Sequence, residues 1–364
     1  FLPVSILTPM AEGLSITEGL AGQSIAATAF AAIFASLFVT TLTRGIDRRK
    51  VVFGFSVILT LSSLIVAVAD SFALMLAGRI LLGVALGGFW AMAPSLTMRL
   101  VPAADVPKAL AIVFSGVSVS MVVAAPLGSY LGAIIGWRGV FVLAAAVGAV
   151  CLVWQAIALP SMPARRRGHV GAVLALLGRR GVKLPMLAIF TVFAGQFAFF
   201  TYLRPLLEQV SLLGVEGVSA MLLLFGLANF AGTSLSSMAL RTSLKGTLLF
   251  APLALALCAV ALSMVAGSGP MVAIVLVVWG FGFGMVPVAW STWVTRDLGD
   301  DAENAGGLQV AVIQFANAAG AAMGGVVLDL SGPVGPVVFG GLLLAATAVI
   351  VTLGVSRQPT RSGA

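Results

Sequence analysis

The chain has 364 residues, 60% of them hydrophobic and only 9% charged, with a mean hydropathy of +1.14. A soluble domain is about one quarter charged, so the composition excludes that class. The net charge of +8 lies in short loops, where it reads as membrane topology rather than as a nucleic-acid surface.

The apolar runs do not alternate with polar residues, which excludes an outer-membrane barrel and leaves helices as the spanning element. A span needs ~20 apolar residues. In chain order the predicted spans cover 1–11, 20–43, 51–69, 72–98, 107–135, 139–159, 184–207, 217–240, 246–266, 271–295, 304–328 and 334–355. The first opens at Phe1 inside an apolar run and reads as a helix without its start. The fold class is thus all-α and integral to the membrane. Alternating the sides puts all of the 20 basic residues except Arg79, Arg138 and Arg204 on one face of the bilayer. The positive-inside rule makes that face cytoplasmic, together with both termini.

Span four carries Arg79 inside an apolar run. A charge at membrane depth is rarely left facing lipid. At ~100° per residue, Arg79, Gly83, Trp90, Pro94 and Thr97 share one helical face. The expectation is that Arg79 faces the interior of the first half, meeting backbone carbonyls, polar groups of span two such as Gln23 or Thr28, or the missing start of span one. Snorkelling to the outer surface is the alternative.

Residues 159–183 change character. Pro160, Pro163, the run Arg165–Arg167 and the sole histidine, His169, read as a cytoplasmic linker. The expected organisation is a first six-helix half over 1–159, a basic linker over 160–183, and a second half with a short tail over 184–364. The halves look related: the stretch Phe1–Pro9 resembles Phe197–Pro205, and Gly136 recurs at the same offset as Gly332. Repeated halves with a site between them at the midplane are a transporter architecture.

These spans and the basic linker resemble the major facilitator superfamily, in its drug/proton antiporter branch. The segment from Gly45 through Asp47, Arg48 and Arg49 to Lys50 resembles the family's loop between helices two and three, in shortened form. Gly78-Arg79 through Gly83 and Gly87-Gly88 resembles its helix-four motif, and Ala125-Pro126 through Gly136-Trp137-Arg138 its helix-five antiporter motif. Ile112, Met121 and Ala125 stand where that motif has glycines. Phe1–Met10, Gly87–Arg99, Phe193–Pro205, Val286–Arg296 and Gln309–Gly325 further resemble bacterial exporters of purine ribonucleosides in this branch. The resemblance implies alternating access, with inosine- and guanosine-like nucleosides exported in exchange for protons. A broader drug, purine-base or sugar exporter is the alternative. It also implies a cytoplasmic latch at Asp47 and Arg48, and coupling or conformational roles for Arg79 and Pro126. No cofactor or metal is implied. The expected partners are nucleosides, protons and the bilayer, with the chain acting as a monomer in a bacterial inner membrane.

Neutral purines ask for amides and aromatic faces. Gln196, with Phe199 and Phe200, could offer a carboxamide and stacking surfaces on span seven; it could equally bond a neighbouring helix. Asn229, Thr233 and Ser236 form a polar stripe on span eight. Gln314 and Asn317 share a face of span eleven. Trp90 and Trp290 are the stacking candidates among the tryptophans, while Trp279 and Trp293 read as structural. Interhelical hydrogen bonds are the alternative for each polar residue. Cys151 and Cys258 each lie alone in an apolar run and read as small buried hydrophobes. All 12 acidic residues fall in loops or at span ends. Proton coupling therefore uses either an acid upstream of Phe1 or no membrane carboxylate. One loop histidine and no mid-span acid argue against a membrane-embedded enzyme.

Overall fold

The computed structural model describes residues 7–16, 18–163, 175–179 and 181–354. Its helices are α1 (Leu7–Gly13), α2 (Glu18–Leu42), α3 (Arg48–Ala67), α4 (Phe72–Leu100), α5 (Val106–Ala158), α6 (Lys183–Thr201), α7 (Leu203–Gln209), α8 (Val215–Thr242), α9 (Leu244–Val265), α10 (Gly269–Asp297), α11 (Ala302–Ser331) and α12 (Gly335–Gly354). Among the described residues, ten segments are long and apolar enough to cross a membrane, and α2 adds the shorter apolar stretch Ala27–Leu42. The architecture is the predicted all-helical, multi-span one.

Local chemistry sets the boundaries. Asp47 caps α3 by accepting from the Arg49 amide at 2.8 Å, and Ser243 caps α9 by accepting from Gly246 at 2.9 Å. Spans five and six form one helical path, α5, broken at Gly136, whose φ of 72° and ψ of 162° no ordinary side chain favours. Gly332 between α11 and α12 has φ 73°, so the two glycines matched in the sequence share the same left-handed backbone conformation. Span seven, expected to be continuous, is divided into α6 and α7 at Tyr202. Pro205 explains the division: its ring opposes the carbonyl four residues earlier, at Thr201, where α6 ends.

Lipid offers no hydrophobic drive for helix association, so packing rests on close approach. A Cβ on Gly87 would strike the Ala32 carbonyl, bringing α4 against α2. Gly232 lies against the Phe281 carbonyl and Gly284 against that of Asn229, bringing α8 against α10. Gly320 meets Ala194 in the same way between α11 and α6.

The chain divides into two compact units that exchange helix ends. The first holds Phe1–Ala103, Val119–Leu174 and Val294–Gln314; the second holds Ala104–Ser118, Ala175–Trp293 and Phe315–Ala364. In the first unit, Met10, Val66, Met75, Trp137 and Phe141 make one apolar cluster. Val39, Val52, Met92, Leu96 and Met162 make another.

Candidate functional site

The basic end of the first unit is organised around one carboxylate. Arg48 Nη2 donates to Glu303 Oε2 at 2.5 Å and its Nε to Oε1 at 3.0 Å, the paired geometry that suits a guanidinium. Arg99 Nη2 donates to the same Oε1 at 3.0 Å. Arg48 is 1% exposed, and its Nη1 also donates to the Thr43 carbonyl at 2.8 Å. Asp47 does not pair with Arg48. Its carboxylate caps α3 and accepts from the Ser161 hydroxyl and the Met162 amide, fixing the segment after α5. Those bonds, Ser161 first and Met162 next, hold its carboxyl below the ordinary value of 3.8. Glu303 and Arg99 were not singled out from the sequence; only the tertiary fold brings α11 to α3 and α4.

Arg79 is turned inward, at 3% exposure. Its guanidinium carbon lies 5.1 Å from the centroid of the Phe141 ring. Among the described residues its Nε and Nη2 have no hydrogen-bond partner, and the Thr28 hydroxyl meets the Arg79 carbonyl, donating at 3.2 Å, rather than the guanidinium. The snorkelling alternative is not what the structure adopts. Gln23 and Pro126 lie on helices, but their side chains fall outside the described residues, as do the linker from 164 to 174 and residues 1–6.

Four of the sequence candidates in the second unit, Gln196, Phe199, Phe200 and Asn229, make interhelical contacts. Gln196 Oε1 accepts from Trp279 Nε1 at 2.8 Å, and Phe199 stacks on the Trp279 ring at 3.8 Å and 22°. Gln196 is 2% exposed, and Phe199 and Trp279 are buried. Phe200 lies beside Phe225 at 5.2 Å. Asn229 Oδ1 accepts from Ser118 at 2.8 Å, while Thr233, 3.2 Å from the same serine, donates to the Gly284 carbonyl at 3.0 Å. The polar stripe of span eight thus joins α5, α8 and α10. Trp290 meets Trp293 edge to face at 5.9 Å, and both are buried. Gln314 and Asn317 are half-buried on α11, the first in the first unit and the second in the second. Trp90 packs edge to face with Phe89 at 5.5 Å in the first unit.

Cys258 is buried as expected, whereas Cys151 is exposed. On an outer helix of a membrane protein, lipid rather than protein covers such an apolar residue, and the sequence pattern does not distinguish the two. Among the described residues no group of His, Cys, Asp or Glu side chains could hold a metal ion.

An all-helical bundle of membrane-length apolar segments, with a buried arginine on one of them and a charge cluster joining α3, α4 and α11, is an architecture of membrane transporters. Residues 1–325 match the Major Facilitator Superfamily model, and the chain belongs to that family. It is a multi-pass membrane transporter, not an enzyme. It is 52% identical to the purine ribonucleoside efflux pump NepI of Salmonella enteritidis PT4 (strain P125109), over 99% of this chain and 90% of the relative. Against the pump of the same name from Escherichia coli (strain UTI89 / UPEC) the identity is 54%, over 98% and 90%. Among solved structures it is similar to the transporter FucP in the outward conformation, with a TM-score of 0.79 at 15% identity, covering 98% of this chain and 95% of that one. The human organic anion transporter MFSD10 gives 0.77 at 16% identity, over 95% and 88%. These two likenesses concern the fold.

Proposed function

We propose that the chain exports purine ribonucleosides of the inosine and guanosine type across a bacterial inner membrane, in exchange for protons, by alternating access. The observation that carries the reading is identity above one half, over nearly the full length, with relatives named purine ribonucleoside efflux pump. The chemistry of the candidates agrees with it. Gln196, Phe199, Phe200, Asn229, Trp90, Trp290, Gln314 and Asn317 are all uncharged, which suits a neutral purine and ribose better than a cation. The resemblance to the antiporter branch supports proton exchange, and the loop distribution of lysine and arginine supports cytoplasmic termini. The partition into halves over 1–159 and 184–364, joined by the linker 160–183, and action as a monomer are part of the same reading.

On this account the Glu303 cluster is the conformational latch, with Arg48 and Arg99 retaining the start of α11 in the first unit. A change of state must break those bonds or carry them along. Arg79 would couple to the proton pathway as the buried charge of α4.

Binding of labelled inosine to the purified protein in nanodiscs tests the substrate assignment. Inosine and guanosine should compete with the label while free bases, sugars and cationic drugs compete poorly. Equal competition by sugars or drugs would replace the assignment with a broader exporter. Gln196→Ala should weaken inosine binding about tenfold, the loss of one buried polar contact (~1.4 kcal/mol). Unchanged affinity would remove Gln196 from the site and leave it as the anchor of Trp279.

A further inference from the structure

A groove opens in the first unit between α3, α4 and the second arm of α5. It encloses about 320 Å³, within the ~300–1,000 Å³ range of ligand pockets. Small residues line it, Ala85 on α4 and Ala144 and Gly148 on α5, while Phe55, Phe89 and Trp90 form an aromatic wall. At one end Ser56 Oγ donates to Gln155 Oε1 at 2.9 Å, tying α3 to α5. Seven residues before Ser56, on the same face of α3 and two turns (~10 Å) nearer its start, stands Arg49. Its Nη2 donates to the Ala156 carbonyl in an exposed bond that bridges the same two helices. Lys50 beside it is exposed.

Along one line the molecule therefore presents cations, then a hydroxyl–amide pair, then an aromatic slot inside an apolar span. That is the order of chemistry along a phospholipid: phosphate, ester region, acyl chain. We propose that this groove binds one anionic phospholipid, with the phosphate at Arg49 and Lys50, the esters beside Ser56 and Gln155, and one chain between Phe55, Phe89 and Trp90. The guanidinium matches phosphate geometry, and basic residues at a membrane surface favour anionic over zwitterionic lipid. On this inference Trp90 serves the lipid groove rather than the exported substrate, which the remaining candidates would contact.

Native mass spectrometry of the full chain in detergent tests it, with dioleoyl phosphatidylglycerol compared with the phosphatidylcholine of the same chains. The wild type should retain one phosphatidylglycerol, in preference to phosphatidylcholine by about fivefold per basic residue engaged. Arg49→Gln should lose about fivefold of that preference. Cys151→Trp, which fills the groove from an exposed position, should lose the bound lipid altogether. Circular dichroism and elution volume establish that the variants fold; if Cys151→Trp does not, the preference of Arg49→Gln decides. Equal retention of both lipids by the wild type and Arg49→Gln would overturn the proposal. Displacement of the lipid by inosine would overturn it too, assigning the groove to substrate.

Discussion

Glu303 serves two arginines at once, and one of them, Arg48, is almost wholly removed from solvent. Removing the partner of a buried charge costs more than the pair contributes, because the remaining charge stays desolvated. Glu303→Gln keeps the shape and removes the charge. Its expected cost is on the order of 1–2 kcal/mol, below the ~3–5 kcal/mol of a fully buried pair, because Glu303 keeps 18% of its side chain exposed. Thermal unfolding in detergent should register a fall of a few degrees. An unchanged transition would mean that the cluster carries no net stabilisation. Asp47 gives a pH dependence of known sign. Its carboxyl lies below 3.8, so its contribution is fully present above that value and is lost as pH falls through the lowered one. Protection of the Met162 amide from hydrogen exchange should therefore weaken only below about pH 3.8, and Asp47→Asn should flatten that acid limb. Arg79 was legible as an inward-facing residue from the cost of a charge in an apolar run. The Arg48–Glu303 pair was not, since its members lie 255 positions apart and only folding shows that they meet.

Among the elements, close backbone approach decides which glycines matter. A Cβ on Gly232 would drive into the Phe281 carbonyl, whereas one on Gly54 would meet nothing within 4 Å. Gly232→Ala should thus cost ~1–3 kcal/mol through forced separation of α8 and α10. Gly54→Ala should be close to neutral. Yield of monodisperse protein and its melting temperature distinguish the two, and equal behaviour would contradict the close contact. The spans were readable because apolar length is a strong signal, and Gly136 and Gly332 were readable as matched turns. The division of span seven at Tyr202 also had its signal, in Pro205, which a hydropathy reading passes over because proline is tolerated in membrane helices. The structural uses of Gln196 and Asn229 were legible only as alternatives. A carboxamide on an apolar helix has the same sequence signature whether its partner is a ligand or the indole of Trp279.

For the whole molecule, the two compact units do not follow the linear order of the halves. Residues 294–314 belong with the first unit, and 104–118 with the second. This exchange of helix ends places the Glu303 cluster in the first unit and the Ser118–Asn229–Thr233 network in the second. The most direct test of the account is accumulation of labelled inosine in inverted membrane vesicles containing the full-length protein, with and without an imposed pH gradient. The account predicts uptake that depends on the gradient, is competed by guanosine, and is reduced in Glu303→Gln. Uptake indifferent to the gradient, or no uptake of inosine by correctly folded protein, would contradict it.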